Sequence, residues 1–204
     1  LIVFRKDIAD LFIGLFKFKW NEPTRYVAML LLSAVPVAIA GVFFEDFISS
    51  LFAGNMVFIG SMLLVTATLL SLAHFMRKGK REIGFWDAII IGLAQTVAII
   101  PGISRSGSTI ATGMLLGNDK KDLARFSFLM VIIPILGANF LKIVSGDMVA
   151  ETSVSIAPLI AGFFAAFLSG LLACKVMIGI VRKGNLIYFA AYCIVIGLIA
   201  IFAA

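Results

Sequence analysis

Long apolar stretches alternate with short polar ones along the whole chain. Residues 26–44, 55–74, 123–144, 156–181 and 186–202 each read as a helix able to cross a bilayer, which takes about 20 apolar residues. Pro36 lies inside the first of these stretches, where the missing N–H and the ring predict a kink, and 123–144 reads as a full span containing Pro134. In 156–181 the small residues Ala161, Gly162, Ala165, Ala166, Ser169 and Gly170 predict close helix contacts. Two stretches are too short to cross. Residues 86–100 would reach about 22 Å at the helical rise and stop at Pro101-Gly102, and 109–116 is shorter still. Residues 1–25 set Phe12, Phe16, Phe18 and Trp20 among Arg5, Lys6, Lys17, Lys19 and Arg25. That pattern suits either an amphipathic helix in the headgroup region or a plain cytoplasmic loop.

The charges decide how these elements are threaded. Lys and Arg collect on the cytoplasmic side of membrane proteins. Segments 75–85 (Arg77, Lys78, Lys80, Arg81), 118–125 (Lys120, Lys121, Arg125) and 182–185 (Arg182, Lys183) join 1–25 as the basic ones, whereas 45–54 and 145–155 hold no Lys or Arg. Alternation of sides works only if 86–116 enters and leaves on one face, as a re-entrant helix–loop–helix hairpin with its tip deep in the membrane. A single crossing would strand Lys120, Lys121, Arg125, Arg182 and Lys183 outside.

Composition narrows the class. The 204 residues are 62% apolar and 14% charged, with mean hydropathy +1.12, against roughly 45–50% and about 25% in soluble domains. That excludes a soluble enzyme, a disordered tail and a secreted disulfide scaffold, and predicts one all-α integral membrane domain over 1–204. The net charge of +6 would suggest a nucleic-acid partner in a soluble protein; here the cytoplasmic Lys and Arg account for it, and the bilayer is the expected partner. Cys174 and Cys193 lie in apolar runs and read as apolar side chains, with no disulfide. Leu1-Ile2-Val3-Phe4 reads as the last turn of a helix whose start lies upstream.

The candidate chemistry sits at the hairpin tip, Pro101-Gly102-Ile103-Ser104-Arg105-Ser106-Gly107-Ser108-Thr109. Fourteen of the seventeen basic residues fall in the cytoplasmic segments, Lys142 and Lys175 can snorkel from helix ends, and Arg105 alone is placed at depth. A central Arg costs roughly 2.5–3.5 kcal/mol on insertion scales, so it should face a partner or a polar cavity. Gly102 and Gly107 allow close backbone approach, and Ser104, Ser106, Ser108 and Thr109 supply hydroxyls. A helix starting near Ser108 aims its N-terminal N–H groups at the loop, and the guanidinium fork matches phosphate oxygens in pairs. Together they form an anion cradle fit for phosphate or diphosphate. The plainer alternative has Ser and Thr capping a half-helix and Arg105 paired with a distant carboxylate. Among the other polar residues, His74 reads as interfacial, Asp87 as a cap or anchor of the half-helix, and Gln95 as either a cross-helix hydrogen-bonder or a cavity-lining group.

This nine-residue tip resembles the signature of the undecaprenyl-diphosphate phosphatase (bacitracin-resistance) family. Its flanks do too: Asp87-Ala88, Gly92-Leu93-Ala94-Gln95, Gly113, Gly117, Ala124, Ser127-Phe128, Pro134, and Gly162-Phe163 with Ala165-Ala166. The resemblance implies a multi-pass hydrolase of the bacterial cytoplasmic (inner) membrane. It would convert undecaprenyl diphosphate to undecaprenyl phosphate for recycling of the cell-wall lipid carrier and so confer bacitracin resistance. It implies an inverted repeat in which two re-entrant hairpins form the site, with Arg105 as the diphosphate clamp and Ser104, Ser106 and Thr109 as phosphate contacts. Catalytic roles fall to Arg105, Ser104 and Thr109, and substrate binding to Gly102, Ser106, Gly107, Ser108 and Gln95. A divalent cation (Mg2+ or Ca2+) is implied as well, held by a Glu-x-x-x-Glu segment that nothing in this chain matches. The expectation is therefore that these 204 residues alone release no phosphate. A homodimer is left open as a partner, and a polyprenyl-phosphate flippase or anion transporter built on the same loop is the rival reading.

Overall fold

The computed structural model describes residues 4–16, 21–51, 55–75, 79–144, 156–183 and 186–203. It is all-α. The helices are α1 (Arg5–Leu15), α2 (Glu22–Phe43), α3 (Glu45–Leu51), α4 (Met56–Phe75), α5 (Phe85–Val97), α6 (Arg105–Leu115), α7 (Lys120–Met130), α8 (Ile132–Val144), α9 (Ile156–Lys183) and α10 (Ile187–Phe202). Among the described residues, four stretches are long and apolar enough to cross a membrane: Glu22–Phe43, Met56–Phe75, Lys120–Val144 and Pro158–Ile180.

Helix α6 lies at the centre, packed on α4, α5 and α7, while α10 covers α4, α2 covers α5 and α9 leans on α7. Glycines set the closest of these contacts. A Cβ on Gly92 would strike the Ser33 carbonyl, which brings α5 onto α2. One on Gly113 would strike Leu123, and Gly60 and Gly197 meet backbone to backbone where α4 crosses α10. Ile91, Ile110, Leu123, Phe126, Met130 and Leu186 are fully buried around this centre, and Tyr26 meets Phe126 edge-on at 5.8 Å.

Most of the apolar surface faces outward. Only 28% of the α2 and α4 spans and 6% of the α9 span is buried within the chain. Apolar side chains left exposed on that scale are those of helices solvated by lipid.

Several elements differ from the sequence expectation. The stretch 123–144 is two helices broken at Val131, because Pro134 has no N–H for the Met130 carbonyl and its ring crowds it. Pro36, by contrast, lies within an unbroken α2. Residues 5–15 form a helix on α2, not a plain loop, and Glu45–Leu51 adds a short helix to the segment read as a loop. The small residues of α9 are exposed and make no close contact among the described residues, none of which lies within 4 Å of a Cβ added at Gly162 or Gly170. The segments 1–3 and 145–155 fall outside the described residues. Cys193 is buried, Cys174 half-buried, and both are free thiols.

Candidate functional site: the α5–α6 hairpin

Helices α5 and α6 run for 13 and 11 residues, about 20 and 17 Å against a hydrocarbon core of about 30 Å. Their outer ends are tied together. The Arg81 N–H donates to the Gly117 carbonyl (3.2 Å) and the Asp119 N–H to the Arg81 carbonyl (3.0 Å), so the chain leaves the hairpin where it entered. Helix α6 stops in a Schellman motif: Gly117 takes φ +86°, its N–H reaches the Met114 carbonyl, and the Asn118 N–H reaches that of Gly113.

Buried Asp87 anchors this base, as the sequence suggested. Its carboxylate accepts from the Gly84 N–H (2.8 Å) and from Asn118 Nδ2 (3.1 Å), and pairs with Arg81. Asn118 also donates to the Glu82 carbonyl (3.1 Å). Beside this base a cavity of about 210 Å3 is lined by Glu22, Arg25, Glu82, Asp122 and Arg125, among others. Arg125 Nε is 2.9 Å from Asp7 and its guanidinium lies over the Tyr26 ring at 5.0 Å. The first three segments assigned to the cytoplasm by charge thus meet at one end of the bundle.

The tip is at the opposite end of the hairpin. Gly102 takes φ +92° and presses on α4, where a Cβ would strike the Ile59 carbonyl and the Met62 side chain. Thr66 of α4 donates to the Gly102 carbonyl (3.3 Å) and accepts from the Ser104 N–H (3.0 Å). Thr66 is the eleventh of the 20 residues of α4, so the tip lies near mid-depth of a helix long enough to span. The sequence placed Arg105 at this level.

Helix α6 starts at Arg105, one turn earlier than the sequence reading. Ser104 is its N-cap and accepts from the Gly107 N–H at 3.2 Å. Arg105 and Ser106 therefore occupy the first turn, where N–H groups lack intrahelical partners. Ser104, Arg105 and Ser106 are half-buried, and Arg105 forms no ion pair with a described residue. The capping part of the plainer alternative holds, whereas its distant carboxylate has no counterpart among the described residues. Ser106 Oγ lies 3.6 Å from Met177 Sδ of α9.

The remaining predicted residues lie inside. Gly107, Ser108, Thr109 and Gln95 are buried. Thr109 Oγ1 is 3.0 Å from the Arg105 carbonyl and 2.6 Å from Ser127 Oγ on α7. A hydroxyl has one proton; with that of Thr109 on the carbonyl, Ser127 is the donor in the pair. Neither the Gln95 amide nor the Ser108 hydroxyl has a hydrogen-bond partner among the described residues, so Gln95 makes no cross-helix bond to one of them. His74 lies two turns from Thr66 toward the basic end of α4, about 12 Å along the axis. Among the described residues no group of three or more His, Cys, Asp or Glu side chains could hold a metal ion. The cation implied by the resemblance has no ligand set among them.

Thr66, Asn118 and Ser127 escape the sequence reading as parts of this site. Each is one of several polar residues in its segment, with nothing in the sequence to single it out, and only the packing brings it to the hairpin.

A bundle of helices long enough to span around a half-length hairpin, with one arginine and several hydroxyls at its tip beside the middle of α4, defines a multi-pass membrane protein with a polar loop packed against a spanning helix. Residues 1–199 match the family model described as Bacitracin resistance protein BacA. Relatives include the undecaprenyl-diphosphatases of Bacteroides fragilis (strain ATCC 25285), 51% identical over 98% of this chain and 77% of the relative, and of Parabacteroides distasonis, 52% identical with the same coverage. The undecaprenyl-diphosphatase of Halothermothrix orenii is 37% identical over 100% of this chain and 78% of its own length. The chain belongs to the bacitracin resistance protein BacA family.

Proposed function

We propose that the protein is an undecaprenyl-diphosphatase of the bacterial inner membrane, removing the terminal phosphate of undecaprenyl diphosphate to regenerate the monophosphate carrier. The observation that carries the reading is an arginine at mid-depth without a carboxylate partner among the described residues, on the first turn of a capped helix. The relatives' names supply the substrate. The transporter reading has no comparable support.

In the reaction the bond between the bridging oxygen and the terminal phosphorus breaks, the lipid keeps that oxygen, and the attacking oxygen leaves in inorganic phosphate. Arg105 holds two phosphate oxygens with its fork and offsets charge that grows on them in the transition state. The N–H groups of Arg105 and Ser106 and the Ser106 hydroxyl add donors along the same face. Ser104 can turn its hydroxyl proton to a phosphate oxygen while its lone pair keeps the Gly107 N–H. Thr109 is assigned to holding the first turn of α6 through the Arg105 carbonyl and Ser127. Gly102 and Gly107 let the backbone approach, and Gln95 and Ser108 set the polarity behind the loop.

The hairpin is proposed to re-enter the membrane from the cytoplasmic side, inside a single domain spanning 1–204. Phosphate release from undecaprenyl diphosphate by the purified complete gene product tests the activity. Release that is abolished in Arg105→Ala supports it, and its absence in the unaltered protein overturns it.

A further inference from the structure

We propose that Thr66, which lies on α4 outside the hairpin, is the positioning residue that sets the loop for Arg105; the proposal rests on the diphosphatase reading of the site. Polar groups in apolar helices usually turn back on their own backbone, as Ser61 and Thr68 of α4 do, donating to the Val57 and Leu64 carbonyls at 2.7 and 2.9 Å. Thr66 instead reaches across to the tip. It is 1% exposed, it donates to the Gly102 carbonyl and it accepts the Ser104 N–H.

One hydroxyl proton and one lone pair satisfy both contacts in a single orientation, which leaves Thr66 no proton for a phosphate. Its role is therefore in placement and not in contact. Ser104 is the residue through which that placement is passed on: its N–H is held by Thr66 and its side chain holds the Gly107 N–H. Arg105 lies between those two fixed points.

The seat is independent of the hydroxyl. Gly102 is pressed on the α4 backbone at Ile59. On another side of the same turn, the Gly60–Gly197 crossing locks α4 to α10. The loop thus rests on a helix that is itself packed closely on α10, and Thr66 fixes its register there.

The test compares Thr66→Val, which keeps the shape and removes the oxygen, with Thr66→Ser, which keeps the oxygen. Both are made in the complete gene product in detergent. T66V is expected to lower kcat by about 10- to 100-fold, the scale of an ångström-level misplacement, with a smaller change in KM, while T66S keeps most of the activity. Hydrogen exchange read on a peptide covering 102–107 should accelerate in T66V and not in T66S, whether or not substrate turns over. Should T66V not fold, T66A against T66S makes the same comparison. Unaltered kcat and exchange in the variant lacking the oxygen, or equal losses in T66S, would overturn the role. An unaltered protein that releases no phosphate would overturn the diphosphatase reading, while the exchange comparison would still decide what Thr66 does.

Discussion

The two ends of the hairpin are both polar, yet they use their polar atoms in opposite ways. At the base, the Asp87 carboxylate takes three donors from three places in the chain, and Gly117 and Asp119 bond back to Arg81. At the tip, Thr66 and Ser104 hold the backbone, while Arg105 and the Ser106 side chain stay half-buried without a carboxylate partner among the described residues. The base spends its donors on one carboxylate, whereas at the tip Arg105 forms no ion pair with a described residue. A buried carboxylate met by three donors stabilises, even where Asn118 Oδ1 beside it has no partner among the described residues, whereas donors fixed in place and left unsaturated can bind an anion.

The strongest way to break this contrast is Arg105→Lys. Lysine keeps the charge but loses the planar fork, and kcat/KM for phosphate release is expected to fall about 10²-fold or more, with the melting temperature in detergent unchanged. Equal activity would show that the tip needs only a cation. Gly102→Ala should come next, because its φ of +92° and its seat on Ile59 both resist a Cβ. Roughly a tenfold fall in kcat is expected from the displaced loop, measured in the same assay.

The base should respond in stability instead. Asp87→Asn removes the charge from a buried acceptor of three donors and should cost about 2 kcal/mol in detergent unfolding, with kcat of the folded protein retained. A selective loss of kcat would move Asp87 into the chemistry. Gly117→Ala is the mildest, at about 1 kcal/mol for a side chain forced to positive φ, read from the same unfolding curve.

A half-length hairpin was legible because a lone arginine placed at depth and a charge-parity conflict are global constraints on a membrane chain. Either threading of 86–116 makes a definite statement about Lys120, Lys121 and Arg125, and only one is consistent with the other loops. Asp87 was legible as an anchor from its place at the start of α5. The start of α6 was misplaced by one turn because Ser104, Ser106 and Ser108 are all acceptable N-caps, and which of them caps depends on where Thr66 holds the backbone. The break at Val131 was missed, because 123–144 read as one full span containing Pro134, and whether a helix runs on or stops at a proline depends on what packs on either side.

The sequence by itself determined the class, and it supplied a threading and a set of candidate tip residues. Apolar length, the distribution of Lys and Arg, and a dense Gly–Ser–Arg loop each carry their physics in one dimension. The tertiary structure decided which polar atoms are spent and which are free. Thr66 lies in a segment whose hydroxyl-bearing residues, Ser61, Thr66, Thr68 and Ser71, are scattered around the helix, so no periodicity marks the face it presents. Its contact with Gly102 and Ser104 joins residues 36 and 38 apart. Such pairings exist only once the helices are packed, and they separate a capped half-helix from a site.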